Sequence, residues 1–250
     1  AGGTWTLTMR DDATGDGGTL NNWNVTICEP PPPPVCAVGF VPTTVFSTDF
    51  ESGAAGFTHS GTQDEWALGT PSAAPIASCA SGTNCFKTDL TGGYNASSNQ
   101  DLLSPNINLA GLQAPIIVRW SQKYQMETAS FDGYSVEARQ VGTPSNNVRL
   151  FEHTGATMTD TVGNPTVTIQ EAAGWGQMLA RADSLAGQNI ELRFNVNSDT
   201  TVQMSGAAID DVSVTACMPA TADLSVTKVD TPDPVTAGNQ TRTGSAPTYA

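Results

Sequence analysis

Short runs of β-branched and aromatic residues, separated by turn residues, recur through the middle of this chain. Six such runs lie at 44–50, 116–124, 134–141, 165–170, 189–196 and 208–214. Each run is bounded by Gly, Pro, Asn or Ser, which is typical of strands. The stretch 178–187 favours a helical turn or a loop, and no long amphipathic helix pattern occurs. So many strands in one block predict an all-β sandwich of two packed sheets.

Composition agrees with this fold class. The 250 residues have room for one large β domain or two smaller units. Only 14% of the residues are charged, and the chain contains 24 Gly and 16 Pro. This profile suits many strands joined by turns rather than a helical protein.

The charge balance limits the partners of the chain. Its 24 acidic and 10 basic residues give a formal net charge of −14, which argues against nucleic acid or an anionic membrane as the main partner. An excess of carboxylates is compatible with calcium binding, and equally with simple solubility. No apolar run is long enough to span a bilayer, so we expect no membrane insertion.

Five cysteines in a chain this poor in Lys and Arg indicate an exported, extracellular protein. Cys79 and Cys85 flank a short, turn-rich segment that suits a local disulfide. Cys28 and Cys36 are separated by a proline run, which would hold their Cα atoms roughly 25 Å apart in a polyproline II path, whereas a disulfide needs about 4.4–6.8 Å. We therefore favour Cys36–Cys217, which leaves Cys28 for a partner outside the chain or for none.

Both flanks of the central block look incomplete. Two alternating runs, 4–9 and 22–27, predict a β-hairpin over 1–28, and an isolated hairpin is marginal in water. Residues 29–36 form a proline-rich spacer. After the block 37–217, the region 218–250 contains one strand-like run and is too short for an independent domain.

Three segments resemble known families. Residues 3–27, with the patterns G-x-W-x-L and W-x-V-x-I, resemble the closing hairpin of the proprotein-convertase P domain. The middle block resembles bacterial MAM-like jelly rolls, through 49–51, 102–109, 132–133, 192–196 and 209–212 ahead of Cys217. The segment 222–239 resembles the opening strand of a DUF11-type Ig-like repeat. This order implies a segment of a large secreted bacterial protein.

The jelly-roll resemblance implies a structural calcium ion near the first and last strands. Glu51 and Asp211 are the best ligand candidates, followed by Asp49 and Asp210. Calcium takes six to eight oxygen ligands, and carboxylates on neighbouring strands can supply them. The alternative is that these acids cap loops or face solvent. The run at 11–18 superficially matches a calcium loop but lacks the closing Glu, so a hairpin turn is favoured.

Catalytic patterns are poor. His59 and His153 are the two histidines, and no GxSxG, HExxH or P-loop sequence occurs. Glu127 and Asp132 could form a glycosidase pair, although Asp132 followed by Gly is more typical of a turn beside a strand. We therefore expect no enzymatic activity.

Exposed aromatic residues could stack on sugars, and the candidates are Trp66, Trp120, Trp175 and Tyr124. Such residues more often fill the core of a sandwich, and Trp120 lies in a strongly apolar run. Carbohydrate binding is therefore an alternative hypothesis.

The leading hypothesis is a non-catalytic extracellular structural or adhesive protein, joined to other copies of itself or to adjoining domains. Its incomplete ends would pair with neighbouring sheets by β-strand addition, and open head-to-tail pairing builds filaments. The alternatives are an accessory P-domain and MAM-like region of a secreted subtilisin-like protease, or a carbohydrate-binding module that recognises surface glycans.

Overall fold

Two antiparallel sheets pack face to face in the computed structural model of this chain. The structure describes residue 19 and residues 35–153, 159–162 and 167–220. The predicted hairpin over 1–28, most of the spacer and the predicted Ig-like segment lie outside the described residues. Within those ranges, the structure has no helix with the length and apolar character needed to cross a lipid bilayer.

The larger sheet has eight strands among the described residues. They are β1 (Phe40–Thr48), β3 (Trp66–Gly69), β4 (Cys85–Thr88), β7 (Gln113–Glu127), β10 (Thr159–Val162), β11 (Val167–Glu171), β12 (Gly176–Arg181) and β14 (Gly206–Pro219). The smaller sheet has six strands. They are β2 (Thr58–Thr62), β5 (Asn99–Leu103), β6 (Ile107–Asn108), β8 (Gly133–Gln140), β9 (Thr143–Glu152) and β13 (Asn189–Asn197). A 3₁₀ turn, Asp183–Leu185, lies between β12 and β13.

The long strands β7 and β14 pair at the centre of the larger sheet. The other side of β14 pairs with β4 near its start and with β1 over the rest of its length. The other side of β7 pairs with β12 and β11. In the smaller sheet the order is β2-β5-β13-β8-β9, with β6 also pairing with β13. The first and last strands of the sandwich are therefore direct neighbours.

A β-bulge in β14 decides which of its side chains face the core. Asp210 pairs with Ser121 and Ser213 with Arg119, so two residues of β14 lie opposite one residue of β7. Asp211, inside the bulge, has a φ of 49°. Because side chains alternate along a strand, one extra residue reverses the alternation. Odd-numbered residues face the core before the bulge and even-numbered residues after it; these core residues are Ala207, Ile209, Val212, Val214 and Ala216.

Aromatic and aliphatic side chains from both sheets fill the space between them. Trp120 and Phe194, from opposite sheets, meet edge to face with ring centroids 6.4 Å apart. Two polar groups of this core are satisfied by Gln122, whose Oε1 accepts hydrogen bonds from Trp120 Nε1 (2.8 Å) and from the Tyr134 hydroxyl (3.0 Å). Burying each large apolar side chain contributes about 1.5–3 kcal/mol.

The predicted all-β sandwich is confirmed, and the predicted strand runs lie in or beside observed strands. Two predictions need correction. The stretch 178–187 begins as strand β12 and only then forms the 3₁₀ turn, because its first residues pair with β7. The sandwich also extends beyond the predicted end at 217, since Met218 and Pro219 pair with Val41 and Phe40.

Candidate functional site

A short loop closed by the Cys79–Cys85 disulfide contacts carboxylates that come from the first and last strands of the sandwich or closely follow them. The two cysteine Cα atoms are 5.6 Å apart. Glu51, just after the first strand, and Asp210 and Asp211, in the last strand, all contact this loop. The loop thus links β1 and β14 through side chains as well as through the sheet.

The Glu51 carboxylate accepts three hydrogen bonds from the loop. Its Oε1 accepts from the backbone N–H groups of Thr83 (2.9 Å) and Asn84 (2.7 Å), and its Oε2 accepts from the Thr83 hydroxyl (3.1 Å). These donors, first the Asn84 N–H and then the Thr83 N–H, hold the pKa of Glu51 below its ordinary value. Gly82, with a φ of 53°, leaves room for the carboxylate to lie against the loop backbone.

Asp210 and Asp211 bind the loop in different ways. Asp210 is fully buried, and its Oδ2 accepts from the N–H groups of Ala80 (3.1 Å) and Ser81 (2.9 Å). Burial raises the pKa of Asp210, against the opposing effect of these N–H donors. Asp211 contacts hydroxyl groups instead, because its two oxygens accept from Ser81 Oγ (2.8 Å) and Ser121 Oγ (3.1 Å).

The four predicted calcium ligands therefore gather near one loop but do not converge on one point. Asp49 Oδ1 accepts from the N–H of Glu51 at 3.2 Å, which is a local turn contact. Among the described residues, the carboxylates of these four do not form a group of three with oxygens close enough for one ion. Asp210 is an anchor of the loop, since backbone N–H groups already occupy its oxygens.

A second acidic group does converge. Glu127 ends β7, Asp132 precedes β8, and Asp199 lies between β13 and β14. One carboxylate oxygen from each of the three lies within 4.8 Å of the other two. Asp132 is held on both oxygens: Oδ1 accepts from the Asp199 N–H at 2.8 Å, and Oδ2 accepts from the hydroxyl of Tyr94. We call Glu127, Asp132 and Asp199 the buried acidic cluster.

Glu127 has the least compensated charge in the buried acidic cluster. It is only 6% exposed, and its Oε2 has no hydrogen-bond partner among the described residues. Burial raises the pKa of Glu127, and the negative charges of Asp132 and Asp199 raise it further. Burial also raises the pKa of Asp132, although the Tyr94 hydroxyl opposes this effect.

A cavity of about 310 Å³ opens beside Asp132 and is lined by Phe131, His153, Arg193 and Asn197, among others. Of the buried acidic cluster, Asp132 lines this cavity. Glu127 and Asp132, considered as a glycosidase pair from the sequence, do lie together, with one carboxylate oxygen of each within 4.8 Å of the other. Asp199 was missed, because only its position in the turn-forming run 197–200 marks it in the sequence.

Each histidine has a defined partner. His59 Nδ1 lies 2.6 Å from Asp64 Oδ2 on an exposed strand. His153 is buried, and its Nε2 lies 2.9 Å from the backbone carbonyl oxygen of Glu127. Burial lowers the pKa of His153.

Two of the four aromatic residues considered for sugar stacking are core residues, which is the role that the sequence favoured for Trp120, so neither is available to stack on a sugar. Trp66 and Trp120 are each 1% exposed. Tyr124 packs its ring against Tyr134, Phe151 and His153. Trp175 is partly exposed, and its Nε1 donates to the carbonyl of Ser78 at 3.1 Å.

Charged side chains form ion pairs across the strands of the smaller sheet. Arg193 of β13 bridges Asp101 of β5 (2.8 Å) and Glu137 of β8 (3.2 Å). Arg149 of β9 also pairs with Glu137, at 2.9 Å. These ion pairs link four neighbouring strands.

The second disulfide joins Cys36 to Cys217, with Cα atoms 5.6 Å apart and 181 residues of separation. It lies where the first strand begins and the last strand ends, as the register Phe40 to Pro219 shows. Both pairings are those that the sequence favours. Cys28 lies outside the described residues, so its predicted lack of a partner in this chain stays a prediction.

The fold and the two loop sites define a disulfide-closed, all-β sandwich with carboxylate-anchored connections. Bacillopeptidase F of Bacillus subtilis (strain 168) is similar to this chain, with 28% identity over 170 residues. The match covers 68% of this chain and 10% of that protein, so the chain spans about a tenth of the length of this relative. A scan against models of protein families finds no match.

Two solved structures show the range of structural similarity. The K3 cleaved adhesin domain of Lys-gingipain from Porphyromonas gingivalis W83 has a TM-score of 0.45 and 19% identity, covering 70% of this chain and 99% of that domain. A xylan-binding domain from CBM 22 has a TM-score of 0.40 and 11% identity, covering 72% of this chain and 97% of that domain.

Proposed function

We propose that this chain provides a non-catalytic β-sandwich module of a larger secreted protein, with a structural or adhesive role outside the cell. The observation that carries this proposal is the Cys36–Cys217 disulfide, which closes the sandwich where its first and last strands meet. In a module closed in this way the chain enters and leaves at the same end of the sandwich, so the module can be inserted between other domains. Disulfides persist in oxidising, extracellular environments.

The similarity to Bacillopeptidase F supports the modular part of the proposal, since it covers only a tenth of that longer protein. It also favours one alternative, an accessory region of a secreted peptidase, because the name of that relative describes a peptidase. In either case we propose a P-domain-like hairpin over residues 1–28, a MAM-like sandwich from residue 37 to the end of β14 at Pro219, and an Ig-like segment over the residues that follow.

Thiol labelling tests the location and the closure together. The native protein is alkylated before and after reduction, and labelled peptides are identified by mass spectrometry. We expect Cys36, Cys79, Cys85 and Cys217 to react only after reduction, and the protein to be found in the culture medium. Free thiols at these positions in protein recovered from cells would overturn the proposal.

Activity assays separate the two roles. The purified chain is incubated with unfolded protein and polysaccharide substrates, and we expect no hydrolysis. If the native secreted protein hydrolyses peptides while this chain alone does not, the accessory-region alternative is favoured over a free-standing structural role. Binding to a glycan array by this chain would favour the carbohydrate-binding alternative.

We also propose that calcium binds beside the Cys79–Cys85 loop, held by Glu51 and Asp211. The donor types suit this ion, because Asp211 and Glu51 contact hydroxyl oxygens of Ser81 and Thr83 on the loop. Binding would have to draw the Glu51 and Asp211 carboxylates together, since the predicted ligands do not converge on one point in this structure. Hydroxyl groups that donate to carboxylates can turn their lone pairs toward a cation. Asp210 would orient the loop from behind, and Asp49 would be a further ligand only after a change of its turn. The ion would add cross-linking between β1 and β14.

Calorimetric titration with calcium tests this site. Asp211→Asn and Glu51→Gln should each weaken binding, whereas Glu152→Gln, an exposed carboxylate elsewhere, should leave it unchanged. If Asp211→Asn bound calcium with the same affinity as the parent chain, this result would show that calcium does not bind at this loop.

Assembly through strand addition is a second candidate, favoured by the edge strand β9. Among the described residues this ten-residue strand pairs only with β8, and its residues 143–147 are all exposed. A strand from a neighbouring copy could pair with this edge. We expect filaments or discrete oligomers by electron microscopy, and their loss when residues 222–250 are deleted. Unchanged assembly after deletion of 1–28 or of 222–250 would contradict this candidate.

A further inference from the structure

We propose that the buried acidic cluster of Glu127, Asp132 and Asp199 is a second cation site, which takes calcium and lies apart from the Cys79–Cys85 loop. Glu127 and Asp132 flank the connection between β7 and β8, Asp199 lies in the connection between β13 and β14, and one oxygen of each carboxylate lies within 4.8 Å of the other two. Hard oxygen ligands of this kind suit calcium, which accepts six to eight of them at about 2.3–2.6 Å.

Glu127 is the observation that points to a ligand. Its side chain is 94% buried, and its Oε2 has no hydrogen-bond partner among the described residues. Leaving a buried carboxylate oxygen without a partner is unfavourable. Asp132 and Asp199 do have partners: Asp132 accepts from Tyr94 and from the Asp199 N–H, and Asp199 Oδ1 accepts from the Thr201 N–H at 2.8 Å. Of the three carboxylates, Glu127 is therefore the one that needs a further partner, and a bound cation would supply it.

The nearby cationic side chains do not fill this role. Arg149 and Arg193 line the adjoining cavity, but their guanidinium groups pair with Glu137 and Asp101. His153 is turned to the backbone carbonyl of Glu127 rather than to its carboxylate. In the described part of the chain, no salt bridge includes a member of the buried acidic cluster.

The position of the cluster indicates what a bound ion would do. Glu127 lies at the end of β7 and Asp199 shortly before β14, whereas Cys217 lies near the other end of that strand pair. Tyr94, in the loop between β4 and β5, donates a hydrogen bond to Asp132 and so connects this loop to the buried acidic cluster. The ion would thus cross-link three connections at the end of the sandwich that the Cys36–Cys217 disulfide does not reach.

Calcium titration of the full chain, stripped with EGTA, tests this inference by calorimetry and by the thermal unfolding midpoint. We expect the parent chain to bind at a site that Glu127→Gln removes or weakens by roughly tenfold or more. Glu127→Gln should also raise the midpoint in EGTA, because it removes a buried charge, and lose the calcium-dependent increase that the parent shows. Asp199→Asn, at a partly exposed turn, should lose the same increase if Glu127→Gln fails to fold.

Two comparisons keep the inference separate from the loop site. Glu152→Gln changes one exposed carboxylate beside the cavity and should bind calcium as the parent does. Asp211→Asn should leave the Glu127-dependent binding intact, whether or not it loses another site. Unchanged calcium binding in both Glu127→Gln and Asp199→Asn, or no calcium binding by the parent, would overturn the inference.

Discussion

The Glu51 carboxylate lies directly against the backbone of Gly82, where a Cβ atom would be 2.5 Å from Glu51 Oε1. A real Cβ does not approach an oxygen so closely, so only glycine at position 82 permits this contact. The positive φ of Gly82, 53°, also favours glycine. One glycine thus determines how the first strand is tied to the Cys79–Cys85 loop.

Gly82→Ala should destabilise the protein more than an equivalent change elsewhere. Gly142→Ala is the matched control, because Gly142 also has a positive φ, 79°, but has open space around its Cα. The control should lose about 1 kcal/mol from its backbone conformation alone. Gly82→Ala should lose the same backbone contribution and should also displace Glu51, so its total loss of stability should be larger. Urea denaturation measures the free energy of unfolding of both variants.

The displacement has its own readout. Because N–H groups of the loop hold the pKa of Glu51 low, Gly82→Ala should raise it toward the ordinary value, as followed by carboxyl NMR. Equal destabilisation by the two substitutions, with the pKa of Glu51 unchanged, would show that the contact between Glu51 and Gly82 does not stabilise the protein.

The two disulfides should differ in their effect on stability. Cys36–Cys217 spans 181 residues and Cys79–Cys85 only 6. By loop-closure entropy, replacing the first pair by serine should cost about 5 kcal/mol and replacing the second about 2.4 kcal/mol. Guanidinium denaturation of the two double variants measures this order, and a larger loss from the short loop would contradict it.

Lys87 is fully buried, and its Nζ donates to the backbone carbonyls of Thr88 (2.9 Å), Asp89 (2.5 Å) and Gly92 (2.8 Å). Lys87→Met should cost about 3 kcal/mol, because three acceptors lose their donor. Lys123→Met is the control, since Lys123 donates to a single carbonyl, that of Pro75. Its loss should be about 1 kcal/mol in the same denaturation experiment, and equal losses would contradict the role of the three carbonyls.

The pH dependence of stability should report Lys87 separately. Burial lowers the pKa of Lys87 to about 8, against the opposing charges of Asp89 and Glu65. Between pH 8 and the ordinary value of 10.5 the unfolded chain binds more protons at this residue. Its contribution to the free energy of unfolding therefore rises with pH across this window. Lys87→Met should remove that rise, and an identical pH profile in both proteins would refute the assignment.

Tyr134 should have the opposite effect in strong alkali. Burial raises the pKa of Tyr134, whose hydroxyl donates to Gln122 Oε1 at 3.0 Å. Above about pH 10 the unfolded chain loses its proton first, so stability falls as pH rises. Tyr134→Phe should be less stable at neutral pH by about 1 kcal/mol. This difference should shrink and then reverse above pH 10 in a denaturation series, and a constant difference would contradict the prediction.

The two candidate sites differ in how much of each could be predicted from the sequence. The resemblance to bacterial MAM-like jelly rolls implied that Glu51 and Asp211 belong together, and both do contact one loop. It could not show that Asp210 is occupied by backbone N–H groups, since this depends on a loop 129 residues away. It also did not group Asp199 with Glu127 and Asp132, because Asp199 comes from a separate connection, between β13 and β14, that is distant in the chain.

The sequence by itself determined the fold class and the spacing constraint on the cysteines. Alternating strand runs between turn residues leave few solutions other than packed sheets, and a proline run keeps its two ends apart. Only the tertiary structure decided which carboxylates meet, which tryptophans are buried and where the bulge at Asp211 reverses the faces of β14. Local propensity depends on neighbours in the chain, whereas burial, charge compensation and strand register depend on residues brought together from distant segments.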